Sequence, residues 1–349
     1  MKMKSINFAI IGFGSIAKAH ALAAYDANLR YNLPFTLNLK YVVTRKPCEI
    51  KLPGVKNCIN VQEVLEDESI DFISISTPND SHLEYVEKAV QYYKAIYCEK
   101  PLASTYEDAL KMTEAVNKNN VKNAVAFMYR FLPAVRLLKR EIANKTIGDI
   151  IDFKIKIYHK SYLNSNKKGT WRTLKSSGGG ALLDLGAHLI DLIFFTLGEI
   201  EKIDSKTRIY FKERSFVDEI AYCDIKLFNG VQGSIEVSRI FAEADQRDSF
   251  EIYGTKGSMK LNFKNPYVLE IFLNEENMVK LVKPDIAEDM QFYPDERNVL
   301  GYFQSAHTAS IINFANSIYE NKDIGIAASF EDGLKCQKII KEAYENPLK

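Results

Sequence analysis

The N-terminal stretch Ile6-Asn7-Phe8-Ala9-Ile10-Ile11-Gly12-Phe13-Gly14-Ser15-Ile16-Ala17 is an apolar run closed by a glycine turn. The alanine-rich residues 18–25 that follow are typical of a helix, so the pattern predicts a strand, a turn and a helix. In the spacing GxGxxA the first glycine makes a tight turn, the second admits a pyrophosphate, and Ala17 permits close helix–strand packing. The helix N-terminus would offer free N–H groups to the phosphates. This context favours dinucleotide binding over a plain turn between core elements.

Short apolar strands and helical stretches then alternate along the first third of the chain. The predicted strands are Leu37–Val43, Ile70–Ser76, Ala95–Cys98 and Val121–Met128. Because such alternation is typical of a parallel, doubly wound sheet, we expect residues 1–128 to form a dinucleotide-binding Rossmann domain of the α/β class.

After residue 128 the predicted strands follow one another without intervening helices. They are Ile150–His159, Lys202–Phe211, Ile220–Leu227, Gly233–Ile240, Ser249–Tyr253, Ser258–Phe263 and Val268–Leu273. Asn229-Gly230 between two of them is a strong hairpin signal. Residues 129–349 are therefore expected to form an α+β domain with an open, mainly antiparallel sheet. Helices are expected at Ser305–Glu320 and Phe330–Tyr344, and the last one packs either in this domain or back on the Rossmann domain.

Charge and cysteine content argue against several classes of protein. The 46 basic and 45 acidic residues give a formal net charge of +1, so no global field would attract nucleic acid or an anionic membrane. Five cysteines without CxxC spacing argue against a disulfide framework or a zinc site and favour a reducing, cytoplasmic location. No stretch approaches the roughly 20 apolar residues of a membrane span, and no secretory signal is recognised at the N-terminus.

The second predicted strand ends at Thr44-Arg45-Lys46, where a dinucleotide fold carries its ribose-reading residue. An acid there would favour the free 2′-hydroxyl of NAD, but this turn has none. A hydroxyl beside an arginine can instead hold the 2′-phosphate of NADP. Thr44 and Arg45 are thus candidate cofactor contacts that favour NADP, and a solvated basic turn is the alternative.

Two other strand ends carry polar residues. Ile70–Ser76 runs into Thr77-Pro78-Asn79, with His82 just beyond, and Ala95–Cys98 runs into Glu99-Lys100-Pro101. Dinucleotides bind at the carboxyl edge of a parallel sheet, where both turns are expected. Lys100 beside a chain-bending proline could point into that crevice, although most lysines are solvated surface charges.

A glycine run leads into a helical stretch at Gly178–Asp191. Asp184 and His188 are four residues apart, so on an amphipathic helix they share one face and can form a hydrogen-bonded pair. A histidine oriented by a carboxylate is a suitable general base near neutral pH. Asp191 follows on the same broad side and could bind a substrate hydroxyl or be a partly exposed acid.

The polar loop 161–177 precedes this helix and contains the one tryptophan of the chain. Trp171 and Arg172 could stack on a ligand and pair with its charge, or they could pack the loop. With Lys167 and Lys168, Arg172 hints at an anionic substrate, and a solvated basic loop explains these charges equally well.

The remaining histidines are not predicted to react. His20 is expected near the cofactor end of the first helix or at the surface, whereas His159 and His307 could line the substrate site but are better explained as structural. No spacing of histidines and carboxylates predicts a metal site.

The chain resembles the Gfo/Idh/MocA family of oxidoreductases in the order and spacing of four motifs. These are Gly12–Ala17, Thr77-Pro78-Asn79 with His82, Glu99-Lys100-Pro101 and Gly178–Asp191. The resemblance spans nearly the whole chain, and its specificity lies in combining the Glu-Lys-Pro turn with the Asp- and His-bearing helix. It implies a Rossmann domain, a C-terminal sheet that often mediates homodimers or homotetramers, and hydride exchange between NAD(P) and a sugar or polyol.

The resemblance also implies roles for single residues. Lys100 matches the family's catalytic lysine, and Asp184 and His188 match its acid and histidine. Removing a hydride from a secondary alcohol also requires the hydroxyl proton to leave, so His188 would take that proton, Asp184 would orient the imidazole, and Lys100 would stabilise the oxygen. Expected cofactor contacts are Gly12, Phe13, Gly14, Ser15, Ile16, Ala17, Thr44, Arg45, Thr77, Pro78, Asn79, His82, Glu99, Lys100 and Arg130. Expected substrate contacts are Lys100, Tyr129, Trp171, Arg172, Asp184, His188 and Asp191.

The predicted function is an NAD(P)-dependent dehydrogenase of a sugar, sugar phosphate, nucleotide sugar or polyol. A non-catalytic dinucleotide-binding regulator of the same fold would not need Lys100, Asp184 and His188 together. An enzyme that keeps its NAD and uses transient oxidation to drive an elimination or glycoside cleavage is also compatible with the sequence.

Overall fold

The computed structural model describes residues 4–164, 166, 171–242 and 247–348 of the chain, so Lys167 and Lys168 lie outside the described residues. The chain divides into two compact units. The first comprises Met1–Met128, Phe292–Pro294 and Asn298–Leu334, and the second comprises Tyr129–Gln291, Asp295–Arg297 and Lys335–Lys349. A late helix that the sequence placed in the second domain therefore belongs to the first unit.

The helices of the described residues are numbered in chain order. They are α1 (Ser15–Arg30), α2 (Val61–Glu66), α3 (His82–Val90), α4 (Tyr106–Lys118), α5 (Pro133–Ala143), α6 (Ala187–Thr196), α7 (Ile286–Asp289), α8 (Tyr302–Tyr319) and α9 (Phe330–Glu345). Proline at the first position of α5 suits a helix start, because its missing N–H would have no intrahelical partner there.

The strands are numbered in the same way. They are β1 (Lys4–Ile11), β2 (Phe35–Val43), β3 (Lys56–Cys58), β4 (Phe72–Ile75), β5 (Ala95–Cys98), β6 (Asn123–Val125), β7 (Ile150–Tyr158), β8 (Ile200–Arg208), β9 (Ile220–Leu227), β10 (Gln232–Ser238), β11 (Ser249–Gly254), β12 (Gly257–Asn262), β13 (Leu269–Leu273) and β14 (Met278–Val282). The sequence did not predict β3 or β14.

The first unit is built on a six-stranded parallel sheet with the order β3-β2-β1-β4-β5-β6. All residues of β4 and β5 are buried, as expected for strands covered on both faces. Helices α1 and α8 pack against β1 and β2, and α3 packs against β4 and β5. The strand order reverses between β1 and β4, so the turns after these strands lie at the switch point where such sheets bind ligands. The predicted Rossmann fold is confirmed.

The second unit is built on an eight-stranded sheet with the order β14-β13-β12-β11-β7-β10-β9-β8. Its neighbouring strands are antiparallel except for β7 and β10, which are parallel. The predicted hairpin at Asn229-Gly230 joins β9 to β10, and Gly230 supplies the positive φ of +88° that this turn requires. The mainly antiparallel sheet is also confirmed.

The helix that carries Asp184 and His188 differs from its prediction. Its first part, Leu182–Gly186, is a π-helical turn that continues into α6. All residues from 177 to 193 are buried, so the helix is not amphipathic. By length and composition the segment Lys175–Thr196 could cross a membrane, but 89% of its apolar window is buried inside the structure. A helix that is apolar all round and buried in this way is typical of a protein core.

Candidate active site

The glycine turn after β1 leaves room for a ligand at the start of α1. Gly12 has a φ of +90°, and a Cβ there would lie 2.8 Å from the carbonyl oxygen of Ser76. Gly14 precedes α1 without a side-chain cap, and no atom lies within 4 Å of the place where its Cβ would be. The uncapped helix end therefore presents N–H groups beside open space, which fits the pyrophosphate of a dinucleotide.

In the turn after β2, the hydroxyl of Thr44 makes hydrogen bonds within the protein. Thr44 donates a hydrogen bond to the carbonyl oxygen of Lys46 at 2.7 Å and accepts one from the Asn57 amide at 2.8 Å. Arg45 is exposed. Of the two predicted contacts in this turn, Arg45 is thus the residue with a charged group in solvent, where a 2′-phosphate could reach it.

His82, a predicted cofactor contact, lies inside the first unit. Its ring nitrogens are 3.0 Å from the carbonyl oxygen of Leu102 and 3.1 Å from that of Thr77. Burial lowers the pKa of its imidazole. Because both ring nitrogens face backbone carbonyls, His82 ties the turn after β4 to the segment after Lys100. This placement supports the loops rather than presenting the ring to a ligand.

Glu99, at the end of β5, is also engaged within the first unit. Its Oε1 lies 3.0 Å from Nε2 of His20, and its Oε2 accepts a hydrogen bond from the main-chain N–H of Lys100 at 3.2 Å. His20 is fully buried in the first half of α1, so of its two predicted locations the surface is excluded. The carboxylate predicted to contact the cofactor therefore holds the backbone of Lys100.

His307 on α8 completes a buried cluster with these two residues. One ligand atom each of His20, Glu99 and His307 lie within 4.8 Å of one another, a spacing that could hold a metal ion. Glu99 also interacts electrostatically with Lys100, and that cation disfavours a second positive charge at this place. We therefore interpret the cluster as a set of buried polar contacts rather than a metal site. Its members are too far apart in the sequence for any local spacing to reveal it.

In the second unit, the carboxylate of Asp184 forms a salt bridge with Arg239, the residue after β10. A second nitrogen of the same guanidinium donates to Nδ1 of His159 at 3.1 Å. Burial lowers the pKa of Arg239 to about 10, so the guanidinium stays charged near neutral pH. Sequence reasoning missed Arg239, because only the folded sheet brings the end of β10 to this helix.

His188 packs against Tyr129, a predicted substrate contact. The two ring centroids are 4.8 Å apart and their planes are inclined by 60°. Tyr129 also stacks on Phe263, at 5.0 Å between centroids. Tyr129 thus helps to fix the plane of the imidazole, and the proposed orientation of His188 by Asp184 stays a prediction.

Arg130 and Asp191 form a buried ion pair. Nη2 of Arg130 lies 2.7 Å from Oδ1 of Asp191, and Nε lies 3.1 and 3.0 Å from the two carboxylate oxygens. Only 1% of Asp191 is exposed. Each charge is thus paired with the other, and the binding of substrate by Asp191 and of cofactor by Arg130 stays a prediction.

The polar loop before the glycine run is described only in part. Burial lowers the pKa of Arg172, and its carbonyl oxygen accepts a hydrogen bond from the hydroxyl of Tyr162 at 3.0 Å. Trp171 begins a short 3₁₀ turn with Arg172, and its side chain lies outside what the structure describes. Binding of substrate by Trp171 and Arg172 stays a prediction.

Two family models match the chain. Residues 6–127 match an oxidoreductase family with an NAD-binding Rossmann fold, and residues 135–260 match the GFO/IDH/MocA C-terminal domain. Levoglucosan dehydrogenase of Pseudarthrobacter phenanthrenivorans is 30% identical over 77% of this chain and 76% of its own length. Glucose-6-phosphate 3-dehydrogenase of Bacillus subtilis is 29% identical over 98% and 96% of the two chains.

A solved structure of levoglucosan dehydrogenase in complex with NADH and levoglucosan is also similar. Its TM-score is 0.88 at 27% identity, and the match covers 98% of this chain and 97% of the other. The similarity therefore extends over both units.

Proposed function

This chain belongs to the Gfo/Idh/MocA family of NAD-binding oxidoreductases, and from that premise we propose that it oxidises a secondary alcohol of a sugar, sugar phosphate, nucleotide sugar or polyol. The observation that carries the proposal is the position of Lys100 directly after β5. Strand β5 is two places from β1, so Lys100 lies at the same sheet edge as the glycine turn. A charged residue at that edge is suited to act on a substrate held beside the cofactor.

Each candidate residue has a role in this reaction. The ammonium of Lys100 stabilises the oxygen as it becomes an alkoxide and then a carbonyl. The imidazole of His188 takes the hydroxyl proton, and the carboxylate of Asp184, which pairs with Arg239, stabilises the imidazolium that forms. The nicotinamide, when bound, accepts the hydride.

The proposed cofactor is NADP, bound through Arg45. The exposed guanidinium and the lack of an acid in the turn after β2 support this preference. Gly12–Ala17 would hold the pyrophosphate, and Thr77-Pro78-Asn79 lies at the neighbouring strand end. The first unit is then the cofactor-binding part of the enzyme, and the second unit binds substrate.

We also place the protein in the cytoplasm as a homodimer or homotetramer. All five cysteines are free, which supports a reducing compartment. A second copy would associate through the sheet of the second unit, where the cross-strand neighbours Tyr253, Ser258, Phe272 and Val279 form a row across one face. Both Tyr253 and Val279 in this row are exposed.

The proposed function is tested by an absorbance screen at the nicotinamide band. Levoglucosan, glucose 6-phosphate, inositols and common sugars are each supplied with NAD and with NADP. Steady reduction of added cofactor by one of them is the expected result. Product formation without any absorbance change would instead indicate transient oxidation by a retained cofactor, and absence of turnover with every sugar would favour a dinucleotide-binding regulator.

A further inference from the structure

The carboxylate of Glu99 connects Lys100 to the interior of the first unit. One oxygen accepts the main-chain N–H of Lys100, and the other contacts the ring of His20. Only 6% of Glu99 is exposed, so water contributes little to holding this carboxylate. A buried charge keeps its place only where partners satisfy it, and here the partners are Lys100 and His20.

His20 links Glu99 to two other segments at this edge of the sheet. The ring belongs to α1, the helix whose N-terminus follows the glycine turn. Its Nδ1 lies 2.8 Å from the hydroxyl of Ser74 and 3.2 Å from that of Ser76, at the end of β4. One imidazole thus contacts both the strand that leads into Thr77-Pro78-Asn79 and the carboxylate that holds Lys100.

His307, on α8, is the third member of the cluster. Its ring centroid is 5.4 Å from that of His20. Burial lowers the pKa of His307 to about 3, so the ring is neutral and adds no charge to the cluster. Burial also acts to raise the pKa of Glu99, but the contact with His20 and the charge of Lys100 act against burial, and the pKa is lowered. The carboxylate therefore stays ionised beside Lys100.

We infer that Glu99 and His20 are positioning residues that fix Lys100 relative to the two dinucleotide-binding turns. The inference rests on the proposed function only in taking Lys100 as the reacting lysine. Glu99 sets the backbone and the electrostatic surroundings of Lys100, and His20 fixes Glu99 against β4. A substitution of His20 should thus alter the surroundings of Lys100, because it acts on the position of Glu99.

The test measures the surroundings of Lys100 without any turnover. Full-length wild type, Glu99→Gln, His20→Leu, His20→Gln and Ser74→Ala are acetylated briefly with acetic anhydride at constant pH. Mass spectrometry then gives the labelling rate of Lys100 relative to Lys111, whose side chain is 60% exposed on α4. NADH affinity is measured by fluorescence, and folding by thermal unfolding.

Asp26→Asn provides the matched control. Asp26 is a buried carboxylate on the same helix as His20, and it pairs with Arg30 near the other end of α1. Its replacement removes a buried charge from the same unit without touching the cluster. A loss of stability alone should therefore leave the labelling ratio at its wild-type value.

Glu99→Gln removes the charge that favours the ammonium form of Lys100, so we expect its labelling ratio to rise by roughly threefold or more. His20→Leu should raise the ratio by a similar factor. Ser74→Ala should raise it by less. In His20→Gln the amide N–H can still reach Glu99, so its ratio should stay close to that of wild type. NADH affinity should stay at its wild-type value in Asp26→Asn, whose carboxylate lies outside the cluster.

Ratios in Glu99→Gln and His20→Leu that equal the wild-type ratio would overturn the inference, as would an equal shift in Asp26→Asn. If Glu99→Gln does not fold, His20→Leu and Ser74→Ala decide the question by the same criterion. Failure of every sugar in the absorbance screen would remove the proposed function, but it would leave these labelling ratios and their meaning intact.

Discussion

Lys100 and His188 are the residues on which the proposed chemistry most depends. We expect Lys100→Ala and His188→Ala each to lower kcat by roughly two orders of magnitude or more, the scale of electrostatic and acid–base catalysis. NADH affinity should stay close to wild type, because Lys100 is only one of many expected cofactor contacts and neither change touches the glycine turn. Steady-state kinetics and fluorescence titration measure the two effects, and wild-type rates in both variants would contradict the assignment.

Arg45 decides the proposed preference for NADP. Arg45→Ala removes a charge-assisted contact to the 2′-phosphate, so KM for NADP should rise by about tenfold while KM for NAD changes little. Lys46→Ala, in the same turn, serves as the control for a general loss of positive charge. Equal effects of Arg45→Ala on both cofactors would show that Arg45 does not bind the phosphate.

The Arg130–Asp191 pair should act on stability rather than on binding. Arg130→Leu leaves a carboxylate buried without its partner, which should lower the free energy of unfolding by about 3–5 kcal/mol. The double variant Arg130→Leu/Asp191→Leu should recover much of that loss, because no buried charge remains. Urea unfolding measures both. A double variant that is as unstable as the single one would argue for another role of Arg130.

At the scale of elements, the start of the Asp184–His188 helix depends on a cap from another segment. Asp218 accepts hydrogen bonds from the N–H of Leu182 at 2.8 Å and from the hydroxyl of Tyr344 at 2.7 Å. Gly180 has a φ of +122°, and a Cβ there would lie 2.5 Å from Oδ1 of Asp218. The site helix can therefore begin here only because residue 180 has no side chain.

Gly180→Ala should be much more harmful than an equivalent change elsewhere. Gly230 also has a positive φ, of +88°, but no atom lies within 4 Å of its Cβ position. We expect Gly230→Ala to cost about 1 kcal/mol of backbone strain and Gly180→Ala about 3 kcal/mol or more, since contact with Asp218 is added. Thermal unfolding of both variants gives the comparison. Equal losses would mean that the approach of Asp218 is easily relaxed.

At the scale of the whole molecule, the row Tyr253, Ser258, Phe272 and Val279, whose two end members are exposed, predicts self-association through the sheet of the second unit. Light scattering should give the mass of a dimer or tetramer for wild type. Val279→Glu would place a carboxylate where the two copies meet, on a face that already carries Glu251 and Glu270, so the assembly should dissociate. Leu29→Glu, at an 83% exposed position of the first unit, is the control. A monomeric wild type would reject the proposal.

Much of this architecture is encoded locally, and the sequence predicted those parts. The glycine turn, the alternation of strands and helices, and the hairpin at Asn229-Gly230 each depend on a few consecutive residues. The edge strand β14 was missed because its side chains are mostly exposed, so it shows no alternation of apolar and polar residues. β3 was missed because three residues carry too little pattern.

The sequence by itself determined the two kinds of sheet, the family and the motifs that carry Lys100, Asp184 and His188. Only the tertiary structure decided which charges meet: Asp184 with Arg239, Asp191 with Arg130, and Glu99 with His20. The physical reason is the distance along the chain over which each kind of interaction acts. Turn and helix signals act over a few residues, whereas the partner of a buried charge is set by strand register and helix packing that join distant parts of the chain.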